Sequence, residues 1–172
     1  MPTKSLDEIQ ALVGETRTTV EDFEIERGKV AEFARAIRDP ADIYLDEDAA
    51  REAGYDGIPA PPTFERTTEF PRYRPEGVDD HTGFDLGFDP RRIIHGEQAF
   101  EFERPLYVGD VLTGRTTLED AYEREGQRGG TITFAEFRTD YETESGEHVL
   151  TARATSLETG RAIADDGGDG DE

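Results

Sequence analysis

Cysteine is absent from all 172 residues. That excludes disulfides, thiolate metal sites and a cysteine nucleophile. Lysine is nearly absent: Lys4 and Lys29 are the only two. Histidine occurs as His81, His95 and His148, and none sits with other donors at zinc-ligand spacing, so no metal is expected. No apolar run approaches the ~20 residues that cross a bilayer as a helix. Met1–Gln10 lacks the apolar core of a signal peptide, so the expected location is the cytoplasm. No basic stripe is present, which argues against nucleic acid as a partner.

What is abundant is acid. Aspartate and glutamate number 41 against 19 Lys plus Arg, a formal net charge of -22. Self-repulsion of that size destabilises a compact chain in dilute buffer. Concentrated salt screens it, because the Debye length falls to roughly 3 Å at 1 M. The acidic residues run along the whole chain rather than gathering in a tail, the pattern of a surface suited to a halophilic cell. Hydrophobic residues make up 34% and charged residues 35%, close to the composition of disordered chains. Periodic apolar segments nevertheless predict one folded domain over residues 1–163. Residues 164–172, rich in Asp and Gly, are predicted to be a disordered acidic tail.

Ser5, with Glu8 three residues on, reads as a capping box for a helix through Leu12, stopped by Gly14. Thr18 to Ile25 reads as a strand. Val30, Phe33, Ala34 and Ile37 fall at helical spacing, and Asp39-Pro40 ends that helix. Asp46 to Ala53 is a short helical turn closed by Gly54. Pro59, Pro61 and Pro62 lead stiffly into Thr63–Phe70, a predicted helix stopped by Pro71. Residues 72–91 read as an irregular loop. Four strands follow at hairpin spacing. The first places Ile94, Gly96, Gln98, Phe100 and Phe102 on one face, with His95, Glu97, Glu101 and Glu103 on the other. Val111–Tyr122 places Leu112, Gly114, Thr116 and Leu118 on one side. The turn Gly126–Gly130 leads to Thr131–Tyr141, with a bulge expected between Phe134 and Phe137. Ser145-Gly146 turns into Val149–Leu157. The class is α+β, with a mostly antiparallel sheet wrapped around a central helix.

Three segments make this layout specific. They are Gly57-Ile58-Pro59-Ala60-Pro61-Pro62-Thr63-Phe64, the run His95–Leu106 with Val108-Gly109-Asp110, and the stretch Val30–Ala50. In this order the chain resembles the single hot-dog fold of MaoC-like dehydratases, in the branch of non-catalytic N-terminal halves. The resemblance covers roughly residues 10 to 160 by fold position. It implies (R)-specific hydration of a trans-2-enoyl-CoA, or the reverse dehydration, with the CoA thioester as substrate and no cofactor. In catalytic members an Asp and a His five residues apart hold the reacting water, the Asp as base and the His as relay. A backbone N–H at the start of the central helix polarises the thioester carbonyl.

Position by position, the chain departs from that machinery. Asp39 matches the family aspartate, but Tyr44 stands where the histidine belongs. An unperturbed phenol, with a pKa near 10, is a poor proton relay at neutral pH. Arg38 replaces the glycine before the aspartate. Pro61-Pro62 replaces a His-Gly pair, and proline has no N–H to donate. Loss of one such donor costs about 10²–10³-fold in other enzymes. The resemblance therefore implies a subunit that shapes the acyl-CoA pocket for a separately encoded catalytic MaoC-like partner, in a hetero-oligomer joined along sheet edges. Alternatives are a self-sufficient homodimeric hydratase pairing Asp39 with His95, a hot-dog thioesterase, or a non-enzymatic acyl-binding protein.

Single residues carry two readings each. Asp39 is a relic of catalysis or a residue ending a helix before proline. Tyr44 lines an acyl channel or packs. His95 faces a cleft or is structural. Pro62, Thr63 and Phe64 border the substrate position, with Phe64 also a core candidate. Arg72, Arg92 and Arg104 could receive CoA phosphates by charge-assisted bonds, or pair with neighbouring carboxylates.

The charge argument has a direct test. Thermal unfolding across a KCl series from ~0.1 M to ~2 M is expected to show the midpoint rising with salt; a flat series contradicts the halophilic reading.

Overall fold

The computed structural model describes residues 2–78, 80–126 and 130–160. The expected tail at 164–172 and the middle of the Gly126–Gly130 turn lie outside them. Ser5 caps the first helix, α1 (Leu6–Gln10), and its capping box with Glu8 is complete. The box satisfies amide groups that a helix start otherwise leaves bare. Gly14 follows with φ 88 and donates its N–H to the Leu118 carbonyl. Strand β1 (Thr16–Glu24) starts two residues earlier than its sequence suggests. It is kinked by Asp22 at φ 51, where its register with β3 shifts.

Helix α2 (Arg27–Ala36) buries Val30 and Ala34. Ile37, the last of the periodic apolar set, lies past the helix end and is exposed. Arg38 then adopts φ 60. This is the left-handed geometry for which glycine is suited, at the position where the resembled family carries glycine. A 3-10 turn, Asp42–Tyr44, and α3 (Glu47–Glu52) come next.

The predicted helix over Thr63–Phe70 is a 3-10 segment, Phe64–Glu69. Prolines at 61, 62 and 71 leave only a short run between them, and Thr67 and Thr68 are β-branched, so an α-helix has little room to propagate. The segment still takes the central position. Phe64 is fully buried, stacks on Phe23 at 5.9 Å and meets Phe33 edge-on at 5.4 Å. Burying one such ring contributes about 1.5–3 kcal/mol.

The sheet has five strands in the order β1-β3-β4-β5-β2, every neighbouring pair antiparallel. The remaining strands are β2 (Ile93–Phe102), β3 (Val111–Glu125), β4 (Thr131–Thr143) and β5 (His148–Glu158). This sheet, carrying the central segment on one face, is the hot-dog arrangement.

Two strands differ from the sequence reading. In β2 the register against β5 shifts between His95 and Glu97. Gly96 is the extra residue there; a Cβ on it would stand 3.1 Å from Leu157 and 3.2 Å from the Thr155 carbonyl. The bulge inverts the alternation, so His95 and Gln98 line the same cavity rather than opposite faces. The bulge expected in β4 is instead in β3, where Glu119 is extra between Leu118 and Asp120. Strand β4 alternates regularly, burying Thr133, Ala135, Phe137 and Tyr141. Phe134 faces the other way and stacks on Tyr122 at 5.0 Å.

The irregular segment 72–78 and 80–91 contributes to the core. Tyr73, Phe84 and Leu86 are buried. Phe84 and Leu86 join Ile9, Leu118, Ala121, Ala135 and Phe137 in a second apolar cluster, apart from the main core around Phe23, Phe64, Leu112 and Leu150. Strand β2 lies at the sheet edge, with Ile93, Ile94 and Phe102 exposed.

Arg38→Gly should relieve the left-handed strain, which costs about 1–2 kcal/mol for an L side chain. The expected gain is ~2–8 °C in unfolding midpoint for a chain of this size, measured in molar KCl. A loss of stability would contradict the backbone assignment.

Candidate functional site

Asp39 and Tyr44 come together. The chain leaves α2 at Arg38, and the Asp39 carboxylate accepts from the Ala41 amide at 3.4 Å, an Asx-type turn. The 3-10 turn then brings Tyr44 back, 8% exposed. Burial raises the Tyr44 pKa above 10.0, and the charge of Asp39 and a side-chain hydrogen bond to it raise it further. The phenol is thus held neutral as a partner of Asp39, in the place where a relay would have to exchange protons.

Tyr44 forms one wall of a cavity of about 360 Å³, shared with Tyr55, Pro59, Ala60, Pro62, Phe102 and residues 103–106. The walls have clear local causes. Pro59 bridges to Tyr107, and the Ala60 amide donates to the Leu106 carbonyl. These bonds pin the proline-rich segment beside the end of β2. Pro62 is exposed and offers the cavity a ring without an N–H. Thr63 precedes the 3-10 segment and is exposed, whereas Phe64 points into the core.

Arg104 borders this cavity, but its guanidinium is occupied. It donates to both Asp110 oxygens at 2.8 and 3.1 Å, and to Glu147 at 3.0 Å. Such bidentate pairing fixes the planar fork and ties the β2–β3 connection to the β4–β5 turn. Arg72 lies elsewhere, 3.2 Å from Glu26 and over the Tyr73 ring. Arg92 is 3.6 Å from Asp89 and donates to the Gly160 carbonyl at 3.4 Å. The three arginines are therefore dispersed, each with a carboxylate.

His95 stands at the far end of β2. Phe102, at the Tyr44 cavity, is seven residues away, roughly 23 Å along an extended strand. Within one chain Asp39 and His95 are thus not within hydrogen-bond reach. His95 lines a different, small cavity with Glu65, Arg66, Thr68, His81, Gln98 and Tyr141. Desolvation lowers its pKa, and the nearby Arg66 and His81 lower it further. His148 is bound to Thr151 at 3.1 Å. None of the three histidines lines the Tyr44 cavity, so it has no imidazole to relay a proton. Among the described residues no cluster of His, Asp or Glu is arranged to hold a metal.

Sequence reasoning missed Glu65. It is 4% exposed and accepts from the Tyr141 hydroxyl at 2.5 Å. The one available signal was a carboxylate amid the Phe64–Phe70 run; its burial depends on β4.

With this geometry in view, the chain can be set beside known proteins. The family model for the FAS1-like, dehydratase domain region matches residues 11–152. A UPF0336 protein of Streptomyces avermitilis is 36% identical over 143 residues, 83% of this chain and 89% of that one. Among solved structures, the C-terminally truncated HadBC (3R-hydroxyacyl-ACP dehydratase) complex of Mycobacterium tuberculosis gives a TM-score of 0.65 at 26% identity, covering 85% of this chain and 96% of that one. The ChsH1-ChsH2 complex of Mycobacterium tuberculosis gives 0.70 at 20% identity, covering 89% and 92%.

Tyr44→Phe should cost about 1–3 kcal/mol, because it strips a partly buried carboxylate of its partner. It should also change the alkaline limb. A folded pKa above the ordinary 10.0 gives stability that is complete below pH 10 and is lost as pH climbs through the folded value. Urea unfolding from pH 8 upward should fall less steeply for Tyr44→Phe than for the parent; equal slopes would contradict the Asp39–Tyr44 contact.

Proposed function

The chain belongs to the family of the FAS1-like dehydratase domain region, and from that premise we propose that it is the pocket-forming subunit of a heteromeric (R)-specific enoyl-thioester hydratase. The observation that carries the reading is the Tyr44 cavity. A neutral phenol bonded to Asp39 stands where a relay is required, Pro62 offers no donor, and no histidine reaches the site. What remains is a cavity of about 360 Å³ with apolar and aromatic walls, suited to bind an acyl group or its pantetheine arm without reacting with it.

The assembly half of the proposal has separate support. Two of the similar structures are complexes of two differently named chains, HadBC and ChsH1-ChsH2. The exposed edge of β2, with Ile93, Ile94 and Phe102 beside free backbone groups, needs a cover. In this reading a second hot-dog chain covers it and brings the intact Asp/His pair. That chain supplies the base and the relay, and this one supplies the walls that select the acyl group. The thioester is carried by CoA. No helix among the described residues is long and apolar enough to cross a membrane, and the assembly is proposed to work in the cytoplasm at high salt.

Hydration of crotonyl-CoA and a longer enoyl-CoA, followed by loss of absorbance in molar KCl, tests this. The purified chain alone is expected to be inactive, and its complex with a catalytic MaoC-like subunit active. Rapid turnover by the chain alone, abolished by Asp39→Asn, would overturn the proposal.

A further inference from the structure

The small cavity around Glu65 has no part in the thioester site, yet it is built from polar groups. It measures about 40 Å³, space for one or two water-sized groups. Thr68, Thr116, Thr139, Gln98 and Tyr141 contribute to its wall, together with Glu65. Glu65 is the unusual member. One carboxyl oxygen accepts from Tyr141 at 2.5 Å, while the other is buried with no hydrogen-bond partner. The Arg66 guanidinium stands 4.0 Å from that free oxygen, too far to bond, and is committed to Glu69 and Gln98. Buried polar atoms are almost always bonded to something.

The cavity is not closed off. His81, Thr82, Phe137 and Ser156 are shared with a larger groove of about 620 Å³. Val78, Phe84, Leu86, Phe88 and Ile93 form its apolar wall, and Arg17, Asp80 and Asp85 also line it. A mostly apolar groove therefore opens onto a polar end chamber.

We infer that the groove and chamber together bind an apolar chain bearing an uncharged oxygen, a hydroxyl or ketone, with that oxygen seated against Glu65. Burial raises the Glu65 pKa, which favours the neutral acid. A neutral carboxyl can donate the one hydrogen bond its free oxygen otherwise lacks. A charged head group fits poorly. Arg66 beside the chamber is paired with Glu69, Arg17 on the groove is held by the Gly83 carbonyl and Glu15, and the whole chain carries -22. This site is read from one chain, and its test needs no catalytic partner.

The probes are 1-octanol, 2-octanone and octanoate, titrated into the full chain in molar KCl and followed by NMR. The two neutral probes should bind about tenfold or more tightly than octanoate and shift the amide signals of Thr68 and Gln98. Glu65→Leu should remove the preference, and Glu65→Gln, which keeps a donor, should retain it. Thr139→Val serves as a milder second variant if Glu65→Leu does not fold, and should weaken the neutral probes alone. Absence of binding, equal binding of octanoate, or a preference unchanged in these variants would overturn the inference. None of these outcomes depends on hydratase activity, so failure here and failure of the hydratase reading are separate results.

Discussion

The seating of residues 64–69 on the sheet is the contact on which the other features depend. Phe64 enters the core between Phe23 and Phe33, and the next residue, Glu65, accepts from Tyr141 of β4. One ring and one hydrogen bond thus fix the start of a short 3-10 segment. Upstream, the prolines are held beside Tyr44 and line the cavity of about 360 Å³. Downstream, Thr68 and Arg66 are held over the sheet and roof the polar chamber. The two cavities are separate because this segment lies between them.

The turn after α2 is closed by the Ala41 amide on Asp39 and by the burial of Tyr44 at its end. Arg38, at φ 60, keeps the backbone path although it lacks the freedom of glycine. The path is retained because Tyr44 is buried at its end and the turn cannot relax without exposing it. The proposed pocket-forming role asks only for such a scaffold, without proton chemistry of its own.

Charge shapes how these parts are held. Arginines are scarce relative to acids, and those around the candidate sites are engaged. Arg104 clamps Asp110 and Glu147, Arg72 meets Glu26, and Arg92 meets Asp89. An acidic surface of this density leaves little free positive charge for a CoA phosphate on this chain. Within the proposed assembly, phosphate recognition would fall to the partner.

The elements set by local rules were legible in the sequence. The Ser5–Glu8 box, the short helical turn after Asp46 and the alternation along β3 follow from neighbours close in the chain, although α1 ends at Gln10, two residues short of Leu12. So does the absence of an imidazole and of an N–H at Tyr44 and Pro62, because identity alone decides it. Phase and depth were not legible. The Gly96 bulge exists because β5 crowds that position, and the extra residue at Glu119 answers the register of β4. The burial of Glu65 requires Tyr141, 76 residues away. The distance between Asp39 and His95 was set by where β2 lies in the sheet. Sequence settles which chemical groups are present and how each short stretch bends. Only long-range packing decides which groups share a cavity, since side chains far apart in the chain meet there.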